Sequence, residues 1–109
     1  MNGNEIVATY ESVWEFTRLM LEAAKKNEWN DLPALEEKRH TFVEKLMEFD
    51  KGDLSDAQLN AKKSELIRKI LDSDAETKEL AELWMFELKQ IINSIGTEKK
   101  LNNVYADGN

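Results

Sequence analysis

Cysteine is absent from this 109-residue chain. That excludes disulfides and thiolate metal sites, and nothing points to an oxidising compartment. Proline occurs once and glycine four times, too few for an all-β fold with its many turns. The single histidine, His40, follows Arg39 and has no serine or cysteine partner suggested by the sequence, so it reads as a surface or interface residue rather than a catalytic base. No apolar run approaches the about 18 residues of a membrane span, and no basic flank precedes an apolar run at the N-terminus. A cytoplasmic protein is therefore expected. Positive charge is the scarcer sign, with 15 basic against 22 acidic residues and a net charge of −7. Nucleic acid is a poor partner for such a chain, because phosphate binding needs a concentrated basic patch.

What is abundant is helix-forming material: charged residues make up 34% of the chain, and Ala, Leu, Glu, Lys and Asn dominate. The composition predicts one all-α domain. Helix 1 is expected from an Asn4 N-cap to about Lys26, with its stripe at Ile6, Tyr10, Val13, Trp14, Thr17, Met20, Leu21 and Ala24. Asn27 to Asp31 breaks the pattern, Asn30 or Asp31 can cap helix 2, and Pro33 is tolerated in the first turn. Helix 2 carries Leu32, Leu35, Phe42, Leu46 and Phe49 and stops near Lys51-Gly52. Ser55 and Gln58 form a capping-box pattern for helix 3, and Leu54 and Leu59 occupy the positions of a hydrophobic staple. Gly96 is expected to end helix 3. The fold predicted is an antiparallel helical hairpin or bundle of three main helices, the third long, followed by a short fourth helix or tail. Residues 1–96 form the helical domain, and residues 97–109 a tail anchored by Leu101, Val104 and Tyr105. Leu32, Leu35, Phe42, Leu46, Leu66 and Ile70 are the expected core.

Helix 3 looks too long for its neighbours. Between Asp56 and Ile95 there is neither Gly nor Pro, and apolar or small residues recur at Leu59, Leu66, Ile70, Thr77, Leu80, Trp84, Leu88, Ile91 and Ile95. Folding helices 1 and 2 back on it exhausts both near Thr77, leaving an overhang of about 27 Å at the helical rise. The overhang includes Trp84-Met85-Phe86, which spreads large apolar groups over roughly 200° of the helix circumference. An uncovered apolar helix end is most simply a binding surface. The candidate partner-binding residues are Leu80, Leu83, Trp84, Leu88, Ile91 and Ile95. A break at Ser73 to Glu76, itself a capping-box pattern, would give four shorter helices and remove the overhang.

Candidate chemistry is thin. Asp72-Ser73-Asp74-Ala75-Glu76 begins like a calcium loop but has Thr77 where the turn needs Gly. Asp50, Asp53 and Asp56 read as turn and cap residues, and the Lys62-Lys63 pair as a solvated face. Arg39 lies on the helix-2 stripe opposite Ile70 to Asp74, where it can pair with Asp74 and fix the helix register. An anion site of Arg39 with Arg18 and Arg68 is disfavoured by the excess of acids. No catalytic residue, metal site or cofactor site is expected, and no enzymatic activity.

The segments Asn27-Glu28-Trp29-Asn30-Asp31-Leu32, with Leu35 following, and Lys100-Leu101-Asn102-Asn103-Val104-Tyr105 resemble the flagellar export chaperone FliT family of bacteria. The stretch from Ile70-Leu71-Asp72 to Ile92-Asn93-Ser94-Ile95-Gly96 is similar too, so the likeness covers about Asn27 to Tyr105, while helix 1 matches in length and pattern only. The Leu-Asn-Asn-x-Tyr tail is its most specific piece. The resemblance implies a small helical cytosolic chaperone for the flagellar filament-cap protein. Such a chaperone binds the disordered amphipathic C-terminal segment of its substrate, prevents early assembly and delivers it to the type III export apparatus, including the ATPase complex. In enteric bacteria the freed chaperone of this family also antagonises the flagellar master transcriptional regulator. Some members continue in a further apolar stretch, so the fourth helix is expected to be short here. The rival from another class is a homodimeric helical regulatory or adaptor module that uses the same apolar face.

Overall fold

The computed structural model describes the backbone of residues 1–107 and the side chains of residues 1–96. Among these the regular elements are all helical: α1 (Gly3–Lys25), a 3-10 turn (Trp29–Asp31), α2 (Leu32–Phe49) and α3 (Ala57–Asp107). The chain forms two units, Met1–Lys78 and Glu79–Asn109.

Local chemistry explains each boundary. The Asn2 carboxamide, rather than Asn4, accepts from the Glu5 N–H and caps α1. At the other end Asn27 takes the left-handed conformation (φ 60°), so that the Asn27 N–H reaches the Ala24 carbonyl and the Glu28 N–H the Ala23 carbonyl. This pairing is the Schellman arrangement, which satisfies carbonyls that the helix end leaves open. Asp31 stands at the N-cap position of α2 but makes no side-chain cap hydrogen bond, and Pro33 lies in the first turn, where its missing N–H costs nothing. Gly52, at φ 136°, turns the chain after α2. Asp56, not Ser55, caps α3: its carboxylate accepts from the Gln58 and Leu59 N–H groups, and a carboxylate there also meets the positive end of the helix. The shift of the cap to Asp56 moves the staple positions to Ser55 and Asn60, so Leu54 and Leu59 are not a staple; both lie instead near Gly3, where an added Cβ would stand 3.1 Å from the Leu59 side chain. The absence of a side chain at Gly3 lets the start of α1 approach the start of α3.

Two expectations about α3 have different outcomes. No break occurs at Ser73–Asp74; Ser73 is helical and its carbonyl accepts from the Thr77 hydroxyl. Gly96, however, does not end the helix, which continues to Asp107. Glycine costs a helix interior only about 0.5–1 kcal/mol relative to Ala, and with helix-compatible residues on both sides that is not enough to stop it.

In the Met1–Lys78 unit the three helices run up, down, up. Ion pairs Glu11–Lys62 (2.9 Å) and Lys25–Glu76 (3.6 Å) set α3 parallel to α1. Asp50–Lys63 (2.6 Å) and Arg39–Asp74 (2.7 Å) set α2 antiparallel to α3 in one constant register. Ile6, Val13, Leu46 and Ile70 form the core cluster, with Tyr10, Trp14, Phe42, Val43 and Leu54 packed on it. Each such aliphatic side chain contributes about 1.5–3 kcal/mol when fully buried. The centre of gravity differs from the sequence expectation. Leu46, Leu66 and Ile70 are buried as expected, but Leu32, Leu35 and Phe42 are half-buried. Helix α1 supplies most of the buried positions instead, because it packs against both other helices while α2 turns one narrow stripe inward. Phe42 stacks on Phe16 at 5.9 Å between ring centroids.

Candidate protein-binding surface

A polar core fixes the scaffold of the Met1–Lys78 unit. Thr17, fully buried, donates to the Val13 carbonyl and accepts from Arg39, which also donates to Asp74. The Arg39–Asp74 pair read from the sequence is thus in place, and through Thr17 it ties all three helices. Arg18 pairs instead with Glu15 and Glu22 on its own helix, and Arg68 is exposed, so the three arginines are not one anion site. His40 is exposed beside Glu44 at 3.0 Å.

A second network was missed by the sequence reading. Lys63 is only 7% exposed and is not part of a solvated face. Its ammonium donates to the Asp50 carboxylate and the Gly52 carbonyl, each at 2.6 Å. The Tyr10 hydroxyl donates to the other Asp50 oxygen, and the Gly52 N–H to the first. Burial works to raise the Asp50 carboxyl, but hydrogen bonds from Lys63, Tyr10 and Gly52, with the charge of Lys63, outweigh it and hold the group below the usual carboxylate range. Burial, and then the hydrogen bond and negative charge of Asp50, push the Tyr10 phenol above its ordinary value. The one signal available in the sequence was phase: Lys63 shares the stripe of Leu59, Leu66 and Ile70, whereas Lys62 is turned about 100° away.

The Glu79–Asn109 unit has the opposite character. Among its described side chains, through Gly96, none is buried. Leu83 (54%), Trp84 (36%), Ile91 (56%) and Ile95 (59%) are exposed, while Leu80 and Leu88 are half-buried. Ile91 and Ile95 line a shallow hollow with Gln90 and Ser94. Helical spacing places Leu80, Trp84, Leu88, Ile91 and Ile95 on one stripe, with Leu83 at its edge. Met85, Phe86 and Ile92 are exposed as well, and were not among the expected site residues. Met85 and Ile92 widen the apolar face on the side away from Leu83; Phe86 lies on the opposite side of the helix. Leu101, Val104 and Tyr105 fall outside the residues whose side chains are described. Among the described residues no helix is long and apolar enough to cross a membrane, and no group of three His, Cys, Asp or Glu residues is placed to hold a metal ion.

Comparison with known proteins adds to this geometry of a helical scaffold tied by two internal ion-pair networks and an exposed apolar helix. The family model described as flagellar protein FliT matches residues 7–107. The chain belongs to the FliT family. It is 26% identical to the flagellar protein FliT of Serratia proteamaculans (strain 568) over 105 residues, covering 96% of this chain and 86% of that one. The flagellar protein FliT of Photorhabdus laumondii is 24% identical over 105 residues, covering 96% and 84%. That of Escherichia coli O9:H4 (strain HS) is 22% identical over 106 residues, covering 97% and 88%. No solved structure matches. The FliT membership makes this a flagellar protein.

Proposed function

We propose that this FliT-family chain is a non-enzymatic flagellar type III export chaperone that binds the C-terminal segment of the filament-cap protein. The observation that carries the reading is the exposed stripe of Leu83, Trp84, Ile91 and Ile95, bordered by half-buried Leu80 and Leu88. An amphipathic helix recognises such a face through apolar residues at i, i+3, i+4 and i+7. Covering the stripe keeps two aggregation-prone surfaces out of water until delivery to the export ATPase complex in the cytoplasm. The flagellar master transcriptional regulator is a second partner for the freed surface.

Residues 97–109 regulate this site in the proposed scheme. Docking Leu101, Val104 and Tyr105 back on the stripe requires the helix to open at Gly96, the weakest point of its C-terminal half by intrinsic propensity. A closed form favoured by roughly 1–2 kcal/mol lowers apparent affinity about five- to thirtyfold. Deleting residues 97–109 then tightens binding by that factor.

The test is light scattering on the full chain, alone and with the filament-cap protein's C-terminal segment. A monomer that becomes a one-to-one complex supports the chaperone. A dimer that persists at nanomolar concentration and ignores the segment supports a homodimeric adaptor acting through the same face and refutes the proposal.

A further inference from the structure

The Met1–Lys78 unit holds a second apolar feature, separate from the α3 stripe. Between α2 and α3 lies an open groove of about 380 Å³, floored by Val13 and Ile70 and walled by Val43, Met47, Ile67 and Leu71. Met47 and Leu71, both in its lining, are 74% and 62% exposed. Asp50 belongs to the lining at one end and pairs with Lys63 of α3, and a second pair, Arg39–Asp74, joins the two helices further along. The α2 lining runs from Val43 to Asp50, seven helical steps, so the groove is about 10 Å long, two turns of helix.

The rims differ in charge. The residues following the α2 wall positions turn outward by about 100° and are Glu44 and Glu48, with Glu37 two turns earlier on the same edge. All three are exposed. The corresponding α3 residues, Arg68 and Asp72, cancel. An occupant must therefore offer two or three aliphatic side chains on one helical face and positive charge on the flank that meets α2.

We propose that this groove docks one basic amphipathic helix of a partner protein, laid lengthwise between α2 and α3 with its Lys or Arg flank against Glu37, Glu44 and Glu48. The internal ion pairs fix the width of the groove before binding, so little ordering remains to be done on association. The groove and the α3 stripe then serve different segments.

The test titrates a Leu/Lys amphipathic model peptide of about 15 residues, and its Leu/Glu counterpart, into methyl-labelled full-length protein. The expected result is saturable shifts of the Met47 and Leu71 methyls with the Leu/Lys peptide and much weaker shifts with Leu/Glu. Met47→Asp with Leu71→Asp, both exposed and so compatible with folding, should weaken the Leu/Lys peptide about tenfold or more. Glu44→Lys with Glu48→Lys should reverse the preference between peptides. The proposal is overturned if only Ile91, Ile92 and Ile95 signals move, if both peptides bind alike, or if the double Asp variant binds as the parent does. It is equally overturned if the groove methyls shift with protein concentration alone, which would make a second copy the occupant.

Discussion

Replacing Lys63 with Met should destabilise the helical scaffold far more than replacing the adjacent Lys62. Lys63 and Asp50 form an ion pair with both side chains at least nine-tenths buried. Removing one partner of a buried pair costs about 3–5 kcal/mol, because the remaining charge is left without its counter-ion. Asp50 retains the Tyr10 hydroxyl and the Gly52 N–H, which places the expected loss near the lower end, about 3 kcal/mol. Lys62 pairs with Glu11 where both side chains are about half exposed, and Lys62→Ala should cost about 0–1 kcal/mol. The pH dependence adds a second check. The Asp50 carboxyl is held low in the fold, so its contribution is complete above the unfolded value of about 3.9 and is lost as pH falls through the folded value. Without Lys63, burial acts on Asp50 with less opposition and protonation no longer sacrifices an ion pair. The gap between parent and variant should therefore be widest near neutral pH and narrow below about pH 4. Urea unfolding followed by far-UV circular dichroism at about pH 7 and about pH 3 measures both effects. A neutral-pH loss below about 1 kcal/mol, equal losses at Lys62 and Lys63, or a gap that does not narrow in acid would refute the reasoning.

Tyr10→Phe keeps the ring against the core and removes one donor to Asp50, with an expected loss of about 1.5–3 kcal/mol by urea unfolding. Because the Tyr10 phenol is raised in the fold, its contribution is full below the unfolded value of about 10 and falls as pH rises beyond it, so the variant should lose less stability in alkali than the parent. Phe42→Ala should cost about 2–3 kcal/mol, below the range for a fully buried Phe, because the ring is half-buried on Phe16; a loss under about 1 kcal/mol would deny that packing. Gly52→Ala meets no atom within 4 Å yet forces a side chain onto φ 136°, and should lower the unfolding free energy by about 1 kcal/mol or more.

The parts of the fold written in hydrophobic periodicity were legible. Three helices, the unbroken Ser73–Asp74 region and the Arg39–Asp74 pair all follow from stripes brought into register by short connections. The parts decided by competition between near-equal local options were not. Asp56 displaced Ser55 as the α3 cap, since both are good caps one residue apart. Gly96 passed through the helix because its propensity penalty is small against continuous flanking helix. Lys63 was concealed by its neighbour: a Lys-Lys pair looks solvated, yet successive helix positions face directions about 100° apart, and only one of the two points at Asp50. For the binding surface the sequence marked the apolar composition of Leu80 to Ile95, and the structure adds the exposure of Leu83, Trp84, Ile91 and Ile95 together with Met85, Phe86 and Ile92.

The most direct test of the central claim is the affinity of the full chain for the C-terminal segment of the filament-cap protein, measured by fluorescence anisotropy for the parent and for Trp84→Ala. The account predicts submicromolar to micromolar binding by the parent and a loss of about 2 kcal/mol or more, roughly thirtyfold, in the variant, with the unfolding midpoint of the scaffold unchanged. Equal affinities for parent and variant, both correctly folded, would contradict it.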